Sequence, residues 1–201
     1  MRVRARHMNK KVGDRCMNAI TFGRYNIVTN AHLNTLEKIL EKWPTVVIGI
    51  VAPTKKKNFH MDPSLANFYL ECDKNNDKHS DYSIDERIEM WEKTIYAEGI
   101  SDRVKVVRIL RPEYFPAEFN HQFPPSKYQL VFPETLAEKN KFDTMRNDAF
   151  GIILEREVAT VKPSLTLHFS DIRKHISDYT DWEKYVPIGC YSVLARLHEG
   201  R

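Results

Sequence analysis

Apolar runs alternate along the chain with stretches in which apolar residues recur at helical spacing. The run 45–51 is typical of a strand that is buried on both faces of a parallel sheet. Shorter apolar runs predict the other strands, and the last of them has two candidate positions. The predicted strands are 19–22, 45–51, 104–110, 128–132 and either 157–161 or 165–169.

Between these strands, apolar residues at spacings of three and four predict amphipathic helices. Pro44 ends the first helix, and Asp62 followed by Pro63 begins a short second one. Ser83 and Glu86 form the capping box that begins the third. The predicted helices are 33–43, 64–71, 84–99, 142–154, 171–176 and 188–197, and the Pro-rich, aromatic segment 111–127 is predicted to be a structured loop.

This alternation predicts an α/β fold: a Rossmann-like, doubly wound, parallel five-stranded sheet with helices on both faces. We expect a disordered basic tail at 1–16 and a single domain at 17–201, with a polar insertion at about 52–82. Ligands of such sheets bind outside the carboxyl ends of the strands, where the strand order reverses. The loop after the first strand is therefore the expected binding site.

Composition and charge narrow the function classes. Of the 201 residues, 42% are hydrophobic and 11% aromatic, which excludes a disordered chain. The longest apolar run, Val46–Ala52, is far shorter than the roughly 20 residues of a membrane helix, so no membrane partner is expected. Three cysteines without a close pair favour a reduced, cytoplasmic compartment.

The basic charge is concentrated in the tail. Residues 1–16 contain six basic residues and one acidic residue, so their net charge is +5. Because the net charge of the whole chain is +4, the remaining residues carry a net charge of −1. A protein that binds nucleic acid through its folded domain would need a basic face, so nucleic acid is an unlikely partner of that domain. An RNA-binding arm at 1–16 is kept as an alternative.

The loop after the first strand combines groups that suit a phosphate. Gly23 permits close approach of the backbone to a ligand, and Thr29 and His32 lie on one side of the first helical turn. Amides at the helix N-terminus attract anions. A hydroxyl, an imidazole and open amides in one pocket would stabilise a phosphate that gains charge during reaction. The structural alternative is that Thr29 only caps the helix and His32 is a partly buried histidine.

These residues resemble the signature of the nucleotidylyltransferase (cytidylyltransferase-like) superfamily, G-x-F-x-P-x-[HT]-x-G-H. Ile27 and Ala31 depart from its usual Pro and Gly. The matching residues are Gly23, Tyr25, Thr29 and His32, and the resemblance extends the nucleotide site to Arg24 and Asn26.

Two further segments fit the same family in order and spacing. Residues 55–57 are three lysines and resemble the phosphate-binding lysine run that follows the second strand in nicotinamide mononucleotide adenylyltransferases. Residues 167–173 resemble the family's I-S-S-T-x-I-R, with Ser170 and Arg173 at the phosphate-binding positions. A solvated charge run and a plain helix cap are the structural alternatives for these two segments.

The resemblance implies transfer of a nucleoside monophosphate from a nucleoside triphosphate, with release of pyrophosphate and with Mg²⁺ carried mainly on the phosphates. It assigns His32 and Thr29 to the α-phosphate and Lys55 or Lys57 to the approach of donor and acceptor. Ser170 and Arg173 would hold the pyrophosphate.

The sequence leaves alternatives for the nucleoside triphosphate donor and for the acceptor. Segments around Arg111, 128–133 and Arg146 look like the branch that attaches CMP to small phosphonates, and they favour CMP transfer to a phosphate or phosphonate acceptor bound by Arg111 and Arg146. The alternative for both arginines is that they are ordinary surface residues without a role in binding. The lysine run favours ATP instead, with nicotinamide mononucleotide or phosphopantetheine as acceptor. A non-catalytic nucleotide sensor and a homo-oligomer are left open.

Overall fold

The sheet of this protein is parallel and is centred on its first strand. The computed structural model describes residues 17–54, 62–76, 81–134, 141–165, 167, 172 and 184–199. Within these ranges five parallel strands are ordered β3-β2-β1-β4-β5. The strands are β1 Asn18–Gly23, β2 Val46–Val51, β3 Val104–Ile109, β4 Tyr128–Pro133 and β5 Val158–Val161.

Helices cover both faces of this sheet, as the sequence predicts. Inward and outward side chains alternate along each strand, so Ala19 packs into one apolar cluster and Ile20 into the other. Helices α1, α3 and α6 cover the first cluster, and α2, α4 and α5 cover the second. The helices are α1 Asn30–Leu40, α2 Ala66–Asn76, α3 Ile84–Ala97, α4 Pro116–Gln122, α5 Lys141–Ile153 and α6 Ile188–Glu199.

Two segments differ from the sequence prediction. The predicted loop 111–127 contains helix α4, which begins at Pro116 and buries Phe119, with Phe115 and Phe123 buried on either side. Their spacing of four is helical, and it is the signal that the Pro and aromatic composition concealed. The predicted polar insertion contributes α2, which is longer than expected and buries Phe68, Tyr69 and Cys72 in the core.

Other expectations are confirmed. Asp62 caps a short 3₁₀ turn at 63–65 that leads into α2, and Ser83 and Glu86 form the capping box of α3. Strand β5 occupies the first of its two candidate positions. No helix in the described ranges is long and apolar enough to cross a membrane. The predicted tail at 1–16 lies outside the described residues.

Helices α3 and α6 approach each other most closely at Gly189. A Cβ atom at this position would lie 2.3 Å from the carbonyl oxygen of Lys93 and 2.5 Å from the Cα of Thr94. These are backbone atoms, so the contact is relieved only when one helix shifts.

We therefore expect Gly189→Ala to lower the free energy of unfolding by about 3 kcal/mol, measured by urea denaturation. Gly151→Ala is the matched control, because a Cβ there meets Arg156 at an ordinary 3.4 Å. Alanine also has the better helix propensity, so the control should change stability by less than about 1 kcal/mol. Equal effects of the two substitutions would contradict the close packing of α3 and α6.

Candidate active site

A cavity of about 430 Å³ opens at the carboxyl ends of the strands. Gly23 at the end of β1 and Pro133 at the end of β4 both line it, and these two strands are neighbours in the sheet. The chain runs from β1 to β2 on one side and returns at β4 on the other, so this is where the strand order reverses. The cavity therefore lies where the sequence places the binding site.

The turn between β1 and α1 is held on both sides. The buried Arg87 donates from Nη1 to the main-chain oxygen of Arg24 at 2.6 Å, and Ile27 and Val28 are buried in the core. Between them, Tyr25 has a φ of 43°, the left-handed region that non-glycine residues rarely adopt. The turn is thus fixed at its ends and strained in its middle.

Gly23 faces the ring of Tyr25. A Cβ at Gly23 would lie 3.2 Å from two carbon atoms of that ring. Burial raises the pKa of Tyr25, whereas a hydrogen bond with Thr21 and the charge of Arg146 act in the opposite direction. The close approach that Gly23 permits is therefore made by an aromatic side chain of the same turn.

His32 and Thr29 form a capping box at the start of α1. The main-chain N–H of Thr29 donates to Nδ1 of His32 at 3.1 Å, and Oγ1 of Thr29 accepts from the main-chain N–H of His32 at 3.3 Å. The imidazole takes the place that Glu or Gln usually has in this motif. Because Nδ1 accepts this hydrogen bond, the neutral ring carries its proton on Nε2.

The imidazole is neutral at pH 7. Burial lowers the pKa of His32 to about 4, although a backbone hydrogen bond with Ile27 acts in the opposite direction. His32 lines the cavity, whereas Thr29 is 2% exposed. His32 is therefore placed to act as a neutral N–H donor, and Thr29 orients it.

The first amides of α1 are less open than the sequence suggests. The main-chain N–H of Asn30 donates to the carbonyl oxygen of Tyr185 at 2.9 Å, and its side chain donates to the carbonyl oxygen of Lys184 at 3.0 Å. The N–H of His32 is bound to Thr29, as described above. The expectation of open amides is wrong for these two positions, because the segment before α6 and the cap satisfy them.

Three arginines line the cavity: Arg24, Arg111 and Arg146. Arg111 is 5% exposed, so its surface alternative is wrong. It donates to Oε1 of Glu113 from Nε at 2.9 Å and from Nη2 at 2.6 Å, and it lies 4.2 Å from the centroid of the Tyr114 ring. This arrangement stabilises a buried guanidinium.

The other two arginines lie on either side of the sheet's switch point. Arg146 on α5 stacks on Phe132 at 4.7 Å, and its Nη2 lies 3.3 Å from the carbonyl oxygen of Pro133. Burial lowers the pKa of Arg24, and the positive charge of Arg111 lowers it further. The guanidinium groups of Arg24 and Arg111 thus lie close enough to repel each other, and a bound anion would relieve this repulsion.

Sequence reasoning did not single out Glu113 and Cys72, which also line the cavity. Burial raises the pKa of the Cys72 thiol, and the charge of Glu113 raises it further. Glu113 stands two residues after Arg111, and this pairing was the one available sequence signal. Trp91 lines the same cavity and is also buried in the core.

The structure thus brings most of the predicted site residues to one place. Lys55, Lys57, Ser170 and Arg173 lie outside the described residues. The predicted residues that line the cavity are Gly23, Arg24, Tyr25, Asn26, His32, Arg111 and Arg146.

The described residues contain no group of three or more His, Cys, Asp or Glu side chains that could hold a metal ion. Glu113 is the carboxylate among the described lining residues, and it is bound to Arg111. The described part of the cavity therefore does not form a metal cage of its own.

A family model matches the first half of the chain. It is the cytidylyltransferase-like model, and it matches residues 20–115, which include most of β1, the turn, α1 and the Arg111–Glu113 pair. No curated protein matches the chain in sequence.

Similar solved structures share the fold at low sequence identity. A bifunctional NMN adenylyltransferase/ADP ribose pyrophosphatase from Francisella tularensis matches with a TM-score of 0.63 and 13% identity, over 91% of this chain and 50% of that chain. The same enzyme complexed with AMP and manganese matches with a TM-score of 0.60 and 13% identity, over 91% and 49%. This chain therefore spans about half the length of these proteins.

The lowered pKa of His32 predicts a pH dependence of stability. The imidazole has a pKa of about 4 in the folded protein and 6.5 in the unfolded chain. Between these values the unfolded chain binds more protons, so His32 lowers the stability as the pH falls from 6.5 towards 4 and has no such effect above 6.5.

We expect His32→Asn to remove this component, because its Oδ1 can still accept from Thr29 but does not titrate. Urea denaturation of both proteins at pH 7.5 and pH 4.5 measures it. The stability difference between wild type and variant should move in favour of the variant at pH 4.5. A difference that does not change with pH would contradict a buried, neutral His32.

Proposed function

We propose that this chain is a nucleotidylyltransferase, which transfers a nucleoside monophosphate from a nucleoside triphosphate to a small acceptor that bears a phosphate or phosphonate. An oxygen of the acceptor attacks the α-phosphorus and forms a new P–O bond. The bond from the α-phosphorus to the bridging oxygen breaks, and its electron pair leaves with pyrophosphate. CMP is the favoured group.

The charge of the cavity is the observation that carries this proposal. Its described lining includes three arginines and one carboxylate, an excess of two positive charges, beside a neutral imidazole. Its volume lies in the usual range of small-molecule sites. Two phosphate-bearing substrates suit such a cavity, because their negative charge is opposite to the net charge of its described lining.

His32 has the role of a donor in this reaction. A neutral Nε2–H can hydrogen-bond a non-bridging oxygen of the α-phosphate, and the bond strengthens as charge builds up in the transition state. The capping hydrogen bond from Thr29 orients the ring before substrate arrives. Positioning and charge stabilisation of this kind are the usual means of phosphoryl-type transfer.

The arginines divide between the two substrates. Arg146 and Arg111 bind the anionic group of the acceptor, and Arg24, Tyr25 and Asn26 contact the nucleotide. On the motif resemblance alone, Lys55 or Lys57 draws the two substrates together, and Ser170 and Arg173 hold the pyrophosphate. A divalent cation, when bound, would neutralise charge on the phosphates and would be coordinated mainly by phosphate oxygens and water.

Adenylyl transfer is the second candidate. The similar solved structures described above are of a bifunctional NMN adenylyltransferase/ADP ribose pyrophosphatase, and one of them contains AMP and manganese. ATP with nicotinamide mononucleotide as acceptor is therefore the alternative to CTP with a phosphate or phosphonate acceptor. A nucleotide sensor would keep the same pocket without turnover.

A thermal-shift panel of CTP, ATP, GTP and UTP, each with Mg²⁺, identifies the donor. Binding to the folded state raises Tm by mass action, and a nucleotide at 100 times its Kd adds about 2.7 kcal/mol of stability. We expect CTP to give the largest shift. A larger shift with ATP would select adenylyl transfer, and no shift with any of the four would contradict the proposed function.

The donor role of His32 is separated from its cap role by two isosteric variants. His32→Gln places an amide N–H near the position of Nε2, and His32→Asn places an oxygen near the position of Nδ1. We expect His32→Asn and His32→Ala to lower kcat by about 10²–10³-fold, with KM for the triphosphate little changed, and His32→Gln to retain more activity. Pyrophosphate release measures all three. Equal loss in Gln and Asn would contradict the donor role, and full activity in Ala would exclude His32 from catalysis.

A further inference from the structure

Trp91 on α3 has a buried polar atom without a partner. The residue is 2% exposed, and its indole Nε1 has no hydrogen-bond partner within the described part of the chain. Thr94, one turn further along the same helix, is also buried but donates its hydroxyl to the carbonyl oxygen of Met90 at 2.7 Å. Buried N–H groups in folded proteins are nearly always paired, so the unpaired indole of Trp91 needs an explanation.

The surroundings of this indole point to the cavity. Trp91 is one of the residues that line it, and the centroid of its ring lies 6.4 Å from that of His32. The ring of Tyr25 packs against Trp91 edge-on, at 5.3 Å and 87°, and against His32 in the same manner, at 5.1 Å and 86°. Tyr25 thus lies against both the unpaired donor and the proposed catalytic imidazole.

Tyr25 is also the strained residue of the turn. It has a φ of 43°, and it stands between the Arg24 carbonyl that Arg87 holds and the buried side chain of Ile27. Its ring occupies the space beside Gly23, where a Cβ atom would otherwise fit. Movement of this one ring would make room beside Gly23 and Trp91 together.

We propose that Trp91 is a substrate-binding residue: its indole N–H donates to an anionic oxygen of the bound triphosphate after the Tyr25 ring turns away from Gly23. An indole N–H is a donor only, so its partner must be an acceptor. The arginines of the same cavity select phosphate oxygens as that acceptor. The proposal rests on the proposed function, because it requires a nucleoside triphosphate in this cavity.

The donor is tested by Trp91→3-benzothienylalanine, which replaces N–H by sulfur and keeps the shape of the bicyclic ring. The same replacement at Trp43, which is partly buried on α1's C-terminal side, is the matched control. Titration calorimetry with Mg-CTP and Mg-ATP measures binding. The replacement at position 91 should lower the affinity for the wild type's nucleotide about tenfold or more. The replacement at position 43 should leave that affinity unchanged.

The two proposals fail in different ways in this experiment. Equal affinity of the wild type and the Trp91 variant would overturn the role of Trp91 and leave the proposed function intact. If the wild type binds neither nucleotide, the proposed function is overturned, and the assignment of Trp91 is overturned with it.

The covering of Trp91 by the Tyr25 ring is tested without any ligand. In a protein whose other tryptophans, Trp43 and Trp182, are replaced by Phe, acrylamide quenching reports the accessibility of Trp91 alone. We expect Tyr25→Ala to raise the quenching constant at least twofold and Tyr25→Phe, which keeps the ring, to leave it unchanged. Equal quenching in the two variants would overturn the role of Tyr25 as the cover of Trp91.

Discussion

The hydrogen bond from the Thr29 main-chain N–H to Nδ1 of His32 joins the start of a helix to the chemistry of the cavity. It completes the cap of α1, fixes the orientation of the ring and leaves the proton on Nε2. Protonation of Nδ1 would break this bond, and burial already opposes it. The hydrogen bond thus determines which nitrogen carries the proton, and burial keeps the imidazole neutral, so the positive charge needed for phosphates has to come from other residues.

The sheet supplies that charge through its strand order. Parallel strands end at the same edge, so Gly23 after β1, Arg111 after β3 and Pro133 at the end of β4 reach one cavity although they are far apart in sequence. Arg146 joins them from α5 by stacking on Phe132, the residue before Pro133. Each guanidinium is positioned by a rigid neighbour, which lowers the entropy that is lost when a ligand binds.

The sequence predicted those features of the fold that depend on the local pattern of apolar and capping residues. The strands, most helices and the turn at Gly23 follow from apolar spacing and capping residues. The strands lie within one residue of their predicted bounds, whereas α1 is displaced by three residues and α2 ends five residues later than predicted. The burial of Arg111 depends on Glu113 and on the ring of Tyr114, whose hydroxyl donates to Asp73 on α2. The amides of Asn30 are satisfied by a segment 154 residues away. Contacts between such distant segments leave no periodic signal in one sequence.

The contacts that hold the buried arginines also explain how the cavity selects its ligand. Arg24 lies close enough to Arg111 for the two charges to interact, and the charge of Glu113 acts on both of these arginines. A substrate with several phosphate charges relieves the remaining repulsion, whereas a neutral one would bury the arginines further without neutralising them. The charge of the cavity therefore selects a phosphate-bearing ligand independently of any contact with the base. The base has to be recognised by other groups around the ring of Tyr25, where the cavity is aromatic rather than cationic.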